Sequence, residues 1–452
     1  MNLQFLIDNR AILRDALKKI ESNTHGIVFV VDHKNIILGG LSDGDVRRHL
    51  LNSGSLDDVV TACMNKSFQC VKSTTHPEVV AKLLDSLRVV PVLDDDGAAI
   101  NFLTRLNNKH FSSGRRFSRS KTPVRISFGG GGSDLTYFFS KGFDAAVVNA
   151  TIKKYTYAFL EQRYDNKIEV RSYDLRDNFT ADSLDDLVNA PSKFSLIIEA
   201  IKCAEPNFGF NLELMSDFEP GSGLGGSAAV VVNILNCFNE FRDIRWSEYE
   251  LATEAYKIER HILNINGGWQ DQYAAAFGGI NYISFSSDKN VVYPLRIPEN
   301  VLSELESNLF LCPTNISHHS GEIHNDQQKT VQSENLETNI KANVKLCQKM
   351  RDDLLRGDLD SFAVSLDSAW QLKKTFSTKI SNDKIDKIYE CGKSLGAVGG
   401  KLLGAGGGGY VLFYVNPKQH ICFIEGMKNE NLHVERVHFS TAGAHSWRGI
   451  LS

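Results

Sequence analysis

What this chain lacks narrows its function before any motif is read. Its 452 residues hold eight cysteines, at 63, 70, 203, 237, 312, 347, 391 and 422, and no two of them form a CxxC pair. That spacing excludes the common zinc-ribbon and dithiol motifs and predicts reduced thiols. No apolar run approaches the ~18 residues that a membrane helix needs. The opening, MNLQFLIDNRAILRDALKKIE, carries charge throughout and lacks the apolar segment of a secretory leader. The expectation is a cytoplasmic protein with no membrane partner. A large excess of either charge is also missing. The formal net charge of −4 sets nucleic acid aside as a partner. At 42% hydrophobic and 23% charged residues the chain has a globular composition and ample core. Its length predicts more than one domain, at about 150 residues each.

Residues 109–121 read KHFSSGRRFSRSK, with five Lys or Arg, four Ser and no acid. A solvated linker fits this composition, and a basic patch that holds a phosphate is the alternative. The boundary is placed here: a paired module over 1–112, a basic Ser-rich linker over 113–121 and the main domain over 122–452. The first segment echoes itself. ILRDALKKIE is a helical pattern, followed by GIVFVVDHKNIILGGLS as strand, turn and strand. Later HPEVVAKLLDSL is again helical, and VVPVLDDDGAAINFLTRLN again reads strand, turn, strand. The stretch VVDHKNIILGGLSDGDVRR resembles a cystathionine-β-synthase-type (CBS) domain. That resemblance implies ribose contacts from Ser42 and Asp45 in the first copy and from Thr104 and Asn107 in the second. It further implies an adenine nucleotide as ligand and a homodimer as assembly. A structural pair without ligand is the other reading.

Three glycine-rich runs mark the main domain: Gly129–Gly132 in PVRISFGGGGSDL, Gly221–Gly226 in EPGSGLGGSAA and Gly404–Gly409 in KLLGAGGGGYVLFY. Each adjoins a strand-like segment, as loops that meet at one site would. Gly221, Gly223 and Gly226 satisfy G-x-G-x-x-G. The dinucleotide reading nevertheless fails, because helical patterns follow and no strand with an acidic ribose partner comes in time. The Walker A reading fails as well, because Ser227 stands where Lys is required. What survives is a glycine loop opening a helix, an anion site by geometry and by dipole. Ser227, in the first turn, can reach a metal or a phosphate oxygen, or can simply cap the helix. Downstream, ERHILNINGGWQDQYAAAFGG puts Glu259 at the end of an amphipathic helix and Asp271 beyond the Gly267–Gly268 break. One carboxylate can then hold Mg²⁺ while the other faces an acceptor hydroxyl.

Together PVRISFGGGGSD, PGSGLGGSAA, GGWQDQ and KLLGAGGGG resemble the galactokinase, homoserine kinase, mevalonate kinase and phosphomevalonate kinase (GHMP) family over about residues 122–452. The resemblance implies an α+β, two-lobed kinase fold, here preceded by the small α/β CBS-like pair, with ATP and Mg²⁺ as cofactors. It implies that Gly221, Ser222, Gly223, Leu224, Gly225, Gly226 and Ser227 wrap the nucleotide phosphates, and that Ser227 and Glu259 hold the metal. Asp271 matches the acid at the acceptor hydroxyl, as a base or as an orienting group, and Arg125 a cation beside the reacting phosphoryl group. Gly132, Ser133 and Asp134 match the substrate side, which Gly407 and Gly408 complete from the C-terminal half. Many members have Ser-Ser where this chain has Gly226-Ser227. The first motif looks most like the branch that phosphorylates the anomeric hydroxyl of heptose 7-phosphate, and like fucokinase. A sugar or sugar phosphate is therefore the expected substrate, with D-glycero-D-manno-heptose 7-phosphate first. The alternatives are a neutral sugar such as L-fucose, or a nucleotide-sensing protein on an inactive kinase fold. A substrate phosphate requires a second anion pocket, for which Lys153, Lys154, Arg163, Arg171, His318, His319, His324 and Lys329 are the candidates.

Overall fold

The computed structural model describes residues 3–72, 75–94, 96–105, 115–163, 165–316 and 334–451. The chain divides into two compact units, Met1–Arg115 with Ile450–Ser452, and Arg116–Gly449. Among the described residues no helix is long and apolar enough to cross a membrane. All eight cysteines are free thiols.

The smaller unit carries the repeat seen in the sequence. Its first copy has β1 (Leu6–Asp8), α1 (Leu13–Asn23), β2 (Ile27–Val31), β3 (Ile37–Ser42) and α2 (Asp43–Leu51). The second has β4 (Val71–Lys72), α3 (Pro77–Ser86), β5 (Val89–Leu93) and β6 (Ala99–Thr104). In each sheet one parallel and one antiparallel pairing occur, β1 on β2 on β3 and β4 on β5 on β6. The hairpin turns also match. Asp32 Oδ1 accepts from the N–H groups of Lys34 (2.8 Å) and Ile36 (2.9 Å). Asp94 Oδ1 accepts from Asp96 (3.1 Å) and Ala98 (2.8 Å) in the same way. Phe5, Phe29, Val89 and Phe102 share one core between the copies, so neither sheet buries its apolar face alone.

The larger unit begins with a correction. Residues 115–121 are not linker but the start of β7 (Arg115–Gly129), which pairs along β8 (Ala145–Gln162). The alternation of FSRSKT is a strand period whose buried face is made of hydroxyls. Ser118 and Thr122 are fully enclosed, with Ser118 Oγ donating to the Cys237 carbonyl (2.8 Å) and Thr122 Oγ1 to Asn233 Oδ1 (3.0 Å). Buried hydroxyls with partners carry little penalty, and composition alone mistook them for solvated serines.

The large sheet continues through β9 (Ile168–Ser172), β10 (Asp177–Ala181), β11 (Phe210–Ser216), β12 (Ile280–Phe285) and β13 (Val291–Pro294), in the order β10-β9-β11-β8-β12-β13 with β7 also on β8. The short α4 (Thr136–Phe139) lies between β7 and β8, and against the sheet pack α5 (Ser195–Ala204), α6 (Gly226–Asn239), α7 (Glu248–Lys257) and α8 (Gln270–Phe277). A second sheet has the order β15-β16-β14-β17, from β14 (Leu309–Pro313), β15 (Ala397–Leu402), β16 (Tyr410–Val415) and β17 (Glu435–Arg436). The helix Leu359–Lys374 packs on β15, and the long helix Glu334–Arg356 packs on that helix and on β8. One continuous apolar core joins both sheets through Phe128, Phe362, Leu402 and Phe413.

The helix α6 is buried on every side, its few polar residues Asn233, Asn236 and Asn239 included. Ala228, Val231, Val232, Ile234, Leu235 and Phe238 are all buried, which fixes α6 as a central rod. A rod placed this way holds its N-terminal glycine loop rigidly. That is what an anion cradle requires.

Candidate active site

The three glycine runs meet around one cavity of about 610 Å³. The second and third runs touch backbone to backbone. Gly223 has φ +75°, and a Cβ there would lie 2.9 Å from the Leu403 carbonyl oxygen. Gly404 has φ +72°, and its Cβ would lie 2.7 Å from the Gly223 Cα. Only glycine satisfies both the left-handed φ and the approach. Gly221, Ser222, Gly223, Gly225, Gly226 and Ser227 line the cavity, and Gly225 sits just before the first turn of α6. Leu224 does not line it. That side chain is buried in the core, and its carbonyl accepts from the Arg125 N–H at 3.0 Å.

Arg125 reaches the cavity from β7 and Asp271 from the first turn of α8. Arg125 Nε donates to Asp271 Oδ1 at 2.8 Å, Nη2 lies 2.7 Å from the same oxygen, and Nη1 donates to the Gly223 carbonyl at 2.8 Å. The guanidinium thus ties the acid to the glycine loop. Asp134 faces the same space. Its Oδ1 accepts from Gly132 N–H (3.0 Å) and its Oδ2 from Gln270 N–H (3.2 Å). Burial, and then the Asp271 carboxylate, push the Asp134 carboxyl above its usual range, while the two backbone donors pull it down. A Cβ on Gly268 would fall 1.9 Å from Asp134 Oδ2, so the Gly267–Gly268 break gives the carboxylate its room.

Ser227 Oγ donates to Glu259 Oε1 at 2.7 Å, and Gln272 Nε2 donates to Glu259 Oε2 at 2.5 Å. Glu259 sits in the π-helical turn Ile258–Ile262 that follows α7, fully enclosed behind Ser227. Among the described residues no cluster of three or more His, Cys, Asp or Glu could hold a metal by itself. One hydroxyl and one carboxylate suit Mg²⁺, which takes few protein oxygens and completes its shell with water and phosphate oxygens. Ser227 lines the cavity and Glu259 does not, so Glu259 would reach such an ion only through the position the Ser227 hydroxyl now occupies.

The remaining expected residues divide. Gly132 lines the cavity, but Ser133 is enclosed and braces the first loop, donating to the Gly130 carbonyl at 2.8 Å. Gly407 and Gly408 do not line the cavity; Gly404 and Ala405 take that wall. Lys153, Lys154, Arg163 and Arg171 also lie outside it, with Lys154 on Glu435 (3.0 Å), Arg163 on Asp165 (2.7 Å) and Arg171 on Glu169 (3.4 Å). His318, His319, His324 and Lys329 fall outside the described residues. In the smaller unit Ser42 and Asp45 form a capping box on α2, with Asp45 Oδ2 accepting from Ser42 N–H (2.9 Å) and Oγ (2.6 Å). Thr104 ends β6, buried, and Asn107 lies outside the described residues. Sequence reasoning missed Asn343, Lys373 and Lys401 in the cavity wall. Lys401 opens the quoted KLLGAGGGG, whereas nothing in QLKKTF singled out Lys373.

Comparison with known proteins agrees with this geometry. Residues 195–279 match the GHMP kinases N terminal domain and residues 350–421 the GHMP kinases C terminal domain. A D-glycero-alpha-D-manno-heptose 7-phosphate kinase of Campylobacter jejuni subsp. jejuni serotype O:2 is 35% identical over 337 residues, 73% of this chain and 98% of that protein. A crystal structure of a D-glycero-D-manno-heptose 1-phosphate kinase from Bacteroides thetaiotaomicron, at 31% identity, aligns with a TM-score of 0.62 over 74% of this chain and all of that one. The L-fucokinase/L-fucose-1-P guanylyltransferase of Bacteroides fragilis is 25% identical over 71% of this chain and 37% of its own length. The chain belongs to the GHMP kinases and has their fold. It is a phosphotransferase with an alcohol group as acceptor.

Proposed function

We propose that this enzyme transfers the terminal phosphoryl group of ATP, with Mg²⁺, to the anomeric hydroxyl of a sugar, and that the sugar is D-glycero-D-manno-heptose 7-phosphate, giving the 1,7-bisphosphate. The observation that carries the reading is the Arg125–Asp271 pair set against the glycine loop, with Asp134 in the same cavity. Phosphoryl transfer needs alignment and charge neutralisation more than covalent help. Asp271 would take or orient the acceptor's proton, held in place by Arg125. Asp134 would accept from sugar hydroxyls. The glycine loop and the start of α6 would bind nucleotide phosphates, and the apolar wall formed by Leu175, Ile197, Leu214 and Phe218 would hold the base. Ser227 and Glu259 would hold Mg²⁺, which supplies charge neutralisation at the phosphates. The choice of acceptor follows the first motif and the heptose-phosphate kinase relatives.

The smaller unit is read as a CBS-like pair that binds an adenine nucleotide and supports a homodimer, in a cytoplasmic enzyme. The repeated sheets and matched Asp turns support the pairing. The test of the acceptor is ADP release with Mg-ATP across heptose 7-phosphate, mannose, galactose and L-fucose. Turnover confined to heptose 7-phosphate is expected. Turnover on L-fucose instead would keep the mechanism and overturn the acceptor.

A further inference from the structure

The cavity wall holds two buried lysines that no carboxylate pairs with directly. Lys373 stands at the end of the helix Leu359–Lys374 and is 9% exposed; Lys401 stands in β15 and is 4% exposed. Both line the cavity. Lys373 Nζ donates to the Gly404 carbonyl, and Lys401 Nζ to the Phe128 carbonyl at 3.0 Å. Neither ammonium forms an ion pair among the described residues. The other cations of the site are committed, Arg125 to Asp271, Lys193 to Asp177 and Arg260 to the neighbourhood of Glu259 (3.8 Å). A buried ammonium satisfied only by carbonyls is costly, and an anion arriving from solution relieves that cost.

We propose that Lys373 and Lys401 form a buried subsite for a phosphate group. The proposal rests on the kinase reading of the cavity. The group is a dianionic phosphate, and its source is either the acceptor's own phosphate or the phosphoryl group in transfer. Burial is the main cause of a lowered pKa at both lysines. For Lys373 it is brought to about 8, with Arg125 pressing the same way and Asp134 and Asp271 opposing. Lys401 is driven well below its ordinary value, by Lys373 and Arg125 after burial, with Cys347 opposing. A site that disfavours the charge on its lysines when empty favours it when a phosphate enters, so phosphate binding is coupled to proton uptake as pH approaches the lowered pKa. A purely structural lysine would not be coupled to ligand in this way.

The test is calorimetric titration at pH 8 and above in buffers of different ionisation enthalpy, which counts protons taken up on binding. Heptose 7-phosphate and Mg-AMPPNP are the probes, in separate arms. The proteins are wild type, Lys373→Met, Lys401→Met and Lys373→Arg, the last being permanently charged. The expected result is net proton uptake by wild type with one of the two ligands. Binding of that ligand weakens about 10- to 100-fold in each Met variant, with less proton uptake, while Lys373→Arg binds with less uptake and near-normal affinity. Coupling in the heptose 7-phosphate arm assigns the subsite to the acceptor, and coupling in the Mg-AMPPNP arm assigns it to the transferred phosphoryl group. Equal affinities and equal proton counts in all four proteins, in both arms, would overturn the proposal. If wild type binds Mg-AMPPNP and not heptose 7-phosphate, the acceptor reading fails alone, and the nucleotide arm still decides the subsite. Thermal midpoints of the ligand-free proteins guard against misfolding. Removing an uncompensated buried charge should leave them level or higher.

Discussion

Asp271 and Arg125 lie 146 residues apart and meet at 2.8 Å. Either residue alone is an ordinary charged side chain; the pair, braced on the Gly223 carbonyl, is a positioned acid. Replacing Asp271 by Asn should lower kcat by roughly 10²- to 10⁴-fold in an ADP-release assay, the range for a positioned acid–base group. Mg-ATP binding should change little. At Gly268 the reasoning is steric. Alanine there would meet Asp134 Oδ2, so Gly268→Ala should raise the KM for the acceptor sugar much more than the KM for ATP. Lys373 offers a test by pH. Its folded pKa of about 8 lies below the ordinary 10.5, so between those values the unfolded chain binds more protons than the folded one. Stability therefore rises with pH across that window as the cost of the buried charge disappears, and it is lost again as pH falls toward 8. Urea unfolding at stepped pH should show this rise in wild type and a flatter profile in Lys373→Met.

The capping box on α2 illustrates how an element can use residues that a motif assigns to a ligand. Ser42 and Asp45 satisfy each other and the first turn of the helix before any nucleotide is considered. Ser42→Ala should therefore cost about 1 kcal/mol of stability in the smaller unit, seen in chemical unfolding without nucleotide present. Elements also show where composition misleads. The start of β7 reads as a linker because its inward residues are Ser118, Ser120 and Thr122. Their partners, the Cys237 carbonyl and the Asn233 and Asn236 side chains, lie on α6 more than 110 residues away. By contrast α6 itself was legible, since a glycine loop followed by a small and mostly apolar run has few other uses.

For the whole molecule, the division into two compact units predicts two unfolding transitions in calorimetry. Mg-AMPPNP should raise the transition of the larger unit and leave that of the smaller unit in place, because a ligand stabilises only the fold that binds it. Movement of both transitions together would show that the units unfold as one.

Local sequence determined a good deal here. The glycine runs, the order of the motifs and the duplicated strand–turn–strand pattern depend on neighbours in the chain, and backbone conformation near a glycine is a local property. Asp271 and Asp134 stood out because each stands beside such a run or break, and Glu259 because it ends an amphipathic helical pattern. Only the tertiary structure decided which glycines face the cavity and which brace it, that β7 begins at Arg115, and that Lys373 and Lys401 line the same cavity as the glycine runs. Burial and electrostatic environment are made by residues distant in the chain, and a lysine in QLKKTF looks the same in sequence whether it points to water or into a cavity.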